Sequence, residues 1–249
     1  RFAVISLDDY RAQDRHQWRW GALPRIAVLH VGGAIVREND GGAGPASGAV
    51  AGDESYRRML DTVFADRSVR AVVIRIDSGG GSAAASDMMR HYLLRAKKES
   101  PRPVVFSFGN TAASGGYYIA TTGDRIYASA GSITGSIGVI SGKITLQGLY
   151  EKIGVRKETV KLGEFADLFT ESRNLTEKEK DAIEKSVEFI YRKFTACVSE
   201  GRRIAPGDIE PLAEGRVFTG EQASRKKLVD EIGGLTAAIE YARIASGIR

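Results

Sequence analysis

The sequence holds one cysteine, Cys197, and three histidines, His16, His30 and His91, among 249 residues. A single cysteine excludes an intrachain disulfide framework, a multi-cysteine zinc site and a thiol-redox pair. Its place in a helical-looking stretch reads as a buried structural thiol. The histidines share no metal-ligand spacing, so a metal enzyme is not expected. No apolar run approaches the roughly 18 residues of a membrane helix, and no basic, apolar and small segments follow one another as in a secretory leader. The chain opens Arg1-Phe2-Ala3-Val4 without an initiator Met, which reads as a fragment or processed product whose anchor lies upstream. Basic residues interleaved with aromatics are confined to Arg15–Arg25, so nucleic acid is not an expected partner. The net charge of +5 is spread along the chain. A solvated basic surface is its plain reading and an anionic membrane surface the next.

What is present is a globular composition, 43% apolar, in a length that suits one large α/β domain or two small ones. Residues 1–25, with Trp18 and Trp20, show little periodicity and read as a linker or arm; 26–249 read as one domain. From Ile26 short apolar runs alternate with amphipathic stretches: IAVLHV, a Gly/Ala loop at 41–52, a helix near 53–65, AVVIRID, a helix over 83–98, VVFSFG, and a small-residue helix over 113–122. This alternation predicts β-α-β units, a mostly parallel sheet and flanking helices. Further β-like runs are RIYA, GSIGVI and KETVKL. A charged helix is predicted over 176–202, opened by a Thr176/Glu179 capping box. Two short helices, the run Leu228-Val229-Asp230 and a final helix after Gly233-Gly234 complete the chain.

Two glycine-rich loops follow strands, Asp77 to Ser82 and Gly109 to Gly116. Both are placed at carboxyl strand ends, where open α/β sheets bind ligands. Their amides can turn inward toward an anion or a developing oxyanion. Phosphate is the rival ligand, weakened by the absence of GxxxxGK[ST] and GxGxxG. Ser114 stands where a helix begins; local pattern divides equally between a nucleophile and an ordinary helix cap. A serine nucleophile needs a proton acceptor. No histidine has a catalytic context, and a lysine of depressed pKa would serve. Lys143 and Lys161 lie near the expected cleft, but each reads as solvent-exposed. Ser132, Thr134 and Ser136 read as loop residues bonded to backbone, and Tyr117 and Tyr118 as packing residues.

The runs DSGGGSAAAS at 77–86, NTAASGGYYIA at 110–120, SITGSIGV at 132–139 and GRVFTGEQASRKKLVDEIGGL at 215–235 together resemble signal peptide peptidase A, peptidase family S49, across about 26–246. The resemblance implies a ClpP/crotonase-like fold with Ser114 as nucleophile. It also implies an oxyanion hole from the amide of Gly80, beside Gly81, and the Ser114 N–H, and a groove shaped by Gly79, Gly115, Ser136, Ile137 and Gly138. Gly79 replaces the proline usual in the first loop. Short family members carry their catalytic lysine after the strand that here reads ETVKLG, where this chain has Gly163-Glu164-Phe165-Ala166-Asp167, so Ala166 occupies the lysine position. Long members are tandem duplications whose N-terminal half supplies the lysine and whose C-terminal half supplies the serine, and the Ala166-Asp167 pair resembles that C-terminal half. An engineered Lys→Ala change fits less well, because Glu164 and Leu168 also depart from the short pattern. The resemblance thus implies cleavage of signal peptides or other apolar membrane-released peptides beside a membrane, in a ring-shaped oligomer, with the lysine contributed by an N-terminal half or a neighbouring protomer. A catalytically silent ring subunit and a crotonase-like acyl-CoA enzyme are the alternatives.

Overall fold

A computed structural model describes residues 23–38 and 50–248. The expected arm, with Trp18 and Trp20, and most of the 41–52 loop lie outside the described residues. Strand β1 (Arg25–Gly32) is followed by the short β2 (Ala34–Val36) and β3 (Val50–Gly52), then helix α1 (Asp53–Ala65), β4 (Val69–Ser78), α2 (Ala83–Glu99) and β5 (Val104–Ala113). The second half carries α3 (Gly115–Ala120), β6 (Arg125–Ala128), β7 (Ile133–Gly135), α4 (Gln147–Lys152), α5 (Glu177–Arg202), β8 (Val217–Thr219), α6 (Gly220–Arg225), β9 (Glu231–Ile232) and α7 (Leu235–Ala245).

The main sheet runs β1-β4-β5-β6-β9 with every neighbouring pair parallel. Such a sheet needs both faces covered, which explains why Val72, Val73, Ile74 and Ile76 of β4 are all buried rather than alternating. One face packs Ile74, Ile76, Phe106 and Phe108 against Leu60 of α1, Met89 and Leu93 of α2 and Tyr117 of α3. The other lies under α7, where Ala238 and Ala242 meet Ala71, Val73, Val105 and Tyr127. Strand β5 is long enough to serve twice. Val105–Ser107 pair with β6, while Thr111–Ala113 pair with β7, which in turn pairs antiparallel with β8.

Helix ends follow their local chemistry. The Thr176 hydroxyl accepts from the Glu179 N–H at 3.3 Å while the Glu179 carboxylate accepts from the Thr176 N–H at 2.8 Å, the expected reciprocal box. Helix α5 stops at Arg203, whose left-handed φ of 53° breaks the helical turn. Cys197 is buried. The Arg102 guanidinium donates to the carbonyls of Val63, Phe64, Asp66 and Val69, tying the α1–β4 turn to the entry of β5.

Three readings of the sequence need correction. GSIGVI and KETVKL are not strands: pairing ends at Gly135, and positions 151–166 are solvent-exposed with no ladder partner. An alternating pattern makes a strand only where a sheet edge is there to receive it. The helix expected over 113–122 shortens to Gly115–Ala120, because Thr111–Ala113 are drawn into pairing with β7. One of the two short C-terminal helices is instead a pair of 3-10 turns, Pro206–Asp208 and Glu210–Leu212.

Gly201, in the last turn of α5, packs its Cα against the Thr121 carbonyl so closely that an added Cβ would overlap it. Helix propensity alone favours alanine there by about 1 kcal/mol. Backbone overlap outweighs that gain, so Gly201→Ala should lower the unfolding free energy in urea by about 1–3 kcal/mol, where a free helix site would show an increase.

Candidate active site

The site begins with a sharp change of direction. Strand β5 remains paired through Ala113, and the next amide, Ser114 N–H, donates to the Gly135 carbonyl at 3.0 Å. Helix α3 starts at the following residue. Ser114 therefore takes neither the strand nor the helical conformation, with φ 50° and ψ −121°. Positive φ is costly for a residue with a Cβ, and such strain persists only where the surroundings enforce it. The Ser114 hydroxyl caps nothing. The helix-cap reading, equal on local pattern, is thereby corrected: a capping serine has extended backbone and bonds the first turn, whereas this side chain faces the cleft.

The two glycine-rich loops meet at this turn. A Cβ on Gly80 would sit 2.7 Å from the Gly115 nitrogen and 2.8 Å from the Ser114 Cβ, so only glycine allows the approach. On the far side, Gly115 packs directly against the Ser86 hydroxyl of α2. The amide assignments expected from the resemblance change. Ser114 N–H is consumed by Gly135, and Gly80 N–H donates to the Ser78 hydroxyl at 3.1 Å. Neither is free to receive a ligand. Gly81 and Gly115 line the cavity, and neither amide has a hydrogen-bond acceptor among the described residues.

Ser114 opens into a groove of about 1330 Å³. Of the residues expected there, Gly79, Gly81, Ser114, Gly115, Ser136 and Gly138 line it together, while Ile137 is buried behind the wall and Gly80 packs beneath it. Ser132 and Thr134 donate to the carbonyls of Gly109 and Ala112, both at 2.7 Å, holding β7 against β5. Ser136 has φ 49° and donates its N–H to Arg216 at 2.7 Å. Tyr117 is buried and donates to the Leu228 carbonyl at 2.8 Å, and burial raises its phenol well above the ordinary value. Sequence reasoning placed helix α5 but missed its role as a wall. Ile183, Val187, Ile190 and Phe194 recur at three- and four-residue spacing and face the groove along roughly 17 Å of helix.

The polar wall of the groove is a relay that the sequence did not disclose. Tyr118 Oη donates to Asp87 Oδ1 at 2.8 Å, and Lys193 Nζ to Asp87 Oδ2 at 2.7 Å. Burial pushes the Asp87 carboxyl upward, but the bonds from Lys193 and Tyr118 outweigh it and hold the carboxyl below its usual range. Lys193 is the one lysine among the residues lining the groove, and this carboxylate occupies it. Lys161 is exposed as expected and pairs with Asp167 at 2.6 Å. Lys143 is instead half-buried, because its Nζ donates to the Leu168 carbonyl at 2.8 Å and pins the 163–169 turn. Ala166 is exposed on that turn; Leu168 and Phe169, just beyond it, line the groove. Among the described residues no lysine or histidine hydrogen-bonds Ser114, and no cluster of His, Cys, Asp and Glu could hold a metal ion.

The same turn is braced from below. Arg173 donates to Asp167 at 2.8 Å and to Glu179 at 2.6 Å, joining the groove wall to the first turn of α5. The Arg173 bonds, with the Thr176 N–H, lower the Glu179 carboxyl from 4.5 to about 2.

Comparison with known proteins adds to this geometry. A model of peptidase family S49 matches residues 96–249. The chain is 38% identical over 230 residues to the chloroplastic serine protease SPPA of Arabidopsis thaliana, covering 92% of this chain and 33% of that protein. It is 36% identical over 241 residues to protease 4 of Haemophilus influenzae, covering 96% of this chain and 38% of the relative. A candidate protease of Synechocystis is 35% identical over 224 residues, 90% of this chain and 75% of its own. The chain thus spans only about a third of the length of the first two relatives.

Two outcomes follow from the site's physics. Ser114→Gly should raise stability by about 0.5–2 kcal/mol in urea, since release of a strained φ exceeds the entropy that glycine adds to the unfolded chain, whereas Ser114→Ala should leave it near the parent value. Because Glu179 has a lowered folded pKa, its contribution to stability is complete above the ordinary value of 4.5 and is lost as pH falls toward about 2. The urea midpoint should fall across that window, and Glu179→Gln should lie lower at neutral pH and vary less with acid.

Proposed function

Since the chain belongs to peptidase family S49, we propose that it is the serine-bearing half of a split Ser-Lys endopeptidase, with Ser114 as nucleophile and its base on another domain. The observation that carries this reading is a strained, uncapped serine on a strand–turn–helix corner, facing an apolar groove and two unengaged amides, with no lysine of its own chain bonded to it.

An extended peptide lies along Ser136–Ser141, with apolar side chains toward the α5 wall. The Ser114 hydroxyl attacks the scissile carbonyl carbon while a neutral lysine amine from the partner domain takes its proton. The carbonyl oxygen becomes an oxyanion that accepts from the Gly81 and Gly115 amides. Collapse breaks the C–N bond, the lysine ammonium returns the proton to the leaving amine, and water hydrolyses the acyl ester by the same proton route. The apolar groove suits cleaved signal peptides or other membrane-released fragments.

The partner domain has a surface to meet. Ile140, Val160 and Leu162 are essentially fully exposed, as are most of Ile144 and Phe169, on a single segment flanking the groove. Monomers rarely leave such a patch uncovered. A lysine-bearing N-terminal half or neighbouring protomer docking there, and ring closure by repetition, would both cover it and complete the dyad. No described helix is long and apolar enough to cross a membrane, so attachment to one would rest on segments outside this chain.

The absence of a bonded lysine equally suits a silent subunit that only shapes a ring, and one experiment separates the two readings. The isolated chain should hydrolyse apolar peptides weakly, addition of the lysine-bearing half of a tandem relative should restore turnover, and Ser114→Ala should then lower kcat by at least about 10⁴-fold. High activity from the isolated chain would refute the split dyad. An inactive pair, with both halves folded and assembled, would assign the chain to the silent role.

A further inference from the structure

We infer that Ser78, outside the groove and unassigned by any pattern in the sequence, is the positioning residue that aims the oxyanion loop. The inference rests on the peptidase reading above and on geometry independent of Ser114. Ser78 ends β4 and is 2% exposed. Its hydroxyl makes two bonds in opposite senses, donating to the Gly33 carbonyl at 2.6 Å and accepting from the Gly80 N–H at 3.1 Å. One hydroxyl proton and one lone pair thus link the β1–β2 turn to the glycine loop.

That link decides which amide faces the groove. Gly80 turns the chain at φ 98° with its N–H held on Ser78, and the next amide, that of Gly81, stands at the groove wall with no acceptor among the described residues. Strand β2 clamps the loop on either side of that amide: Ile35 N–H donates to Gly80 O at 3.0 Å and Ser82 N–H to Ile35 O at 2.8 Å. Gly81 itself lies against the Ile35 backbone without space for a Cβ. Ile35 limits where the loop can go, and Ser78 sets the direction of its amides. Gly79, where the family resemblance places a proline, has open space around it, so the loop lacks the stiffness that a ring at that position would supply. With Gly79 here, orientation depends on the hydroxyl.

Ser78→Ala removes both bonds and leaves Gly80 N–H free to rotate, whereas Ser78→Thr retains them. In the assembled enzyme we expect Ser78→Ala to lower kcat by about 10²-fold, the scale of losing one oxyanion donor, with KM within about twofold, and Ser78→Thr to recover most of the loss. A residue that merely supported the fold would move KM, stability and kcat together. Amide exchange in the unmodified chain tests the arrangement without mutation: Gly80 N–H should be protected and Gly81 N–H fast, and a peptide boronate bound to Ser114 should slow Gly81 and Gly115. Equal kcat for Ser78→Ala and the parent, or a Gly80 amide as fast as Gly81, would overturn the inference. Failure of the peptidase reading is distinct: the boronate would fail to bind, or hydrolysis would survive Ser114→Ala, whatever the exchange of Gly80.

Discussion

The Ser114 N–H to Gly135 carbonyl bond, at 3.0 Å, is the constraint on which the site depends. It extends the pairing of β5 with β7 by one residue beyond Ala113 and leaves no room for a gradual turn into α3. The chain must reverse within Ser114, and the resulting positive φ lifts the side chain out of the sheet. The same bond withdraws the Ser114 amide from chemistry. The amide beside the serine that has no acceptor among the described residues is that of Gly115, whose N–H opens the helix.

Around that corner, tight backbone packing substitutes for side-chain machinery. Gly80 lets its loop close on the Gly115 nitrogen and Gly115 lets the Ser86 side chain close in, each at a distance that no Cβ would permit, while Gly116 lies tight against the Ser78 carbonyl. The charged groups stay at the perimeter. Asp87, Tyr118 and Lys193 tie α2, α3 and α5 together across the groove, while Arg173 ties the 163–169 turn to α5. Lys193 and Arg173 are thus engaged in these ties, and among the described residues no lysine hydrogen-bonds Ser114. The exposed apolar residues between Ile140 and Phe169 flank the same groove.

Much of the fold could be read in advance because its signals are local. Buried apolar runs such as AVVIRID mark central parallel strands, and Thr176 with Glu179 marks the start of α5 within a residue. The failures are non-local. GSIGVI and KETVKL have strand composition, but being a strand is a relation to a partner, and among the described residues none pairs with KETVKL or with GSIGVI beyond its first glycine. The groove was half legible: Gly79, Gly81, Ser114, Gly115, Ser136 and Gly138 were named from motifs and converge. The α5 stripe was visible as periodicity, yet nothing in the periodicity says which neighbour it faces.

The sequence by itself determined the class of fold and, through its motifs, singled out Ser114 and Ala166 as the positions to examine, because each is a matter of residue type and order. Only the tertiary structure decided which backbone amides remain free. Ser114 and Gly80 carry the amides that the resemblance named, but Gly135, distant in sequence, binds the first, and the second is bound by the nearby Ser78 hydroxyl, itself held by the distant Gly33 carbonyl. An N–H can serve one strong acceptor at a time, so the donors left to the chemistry are those the fold has not already used.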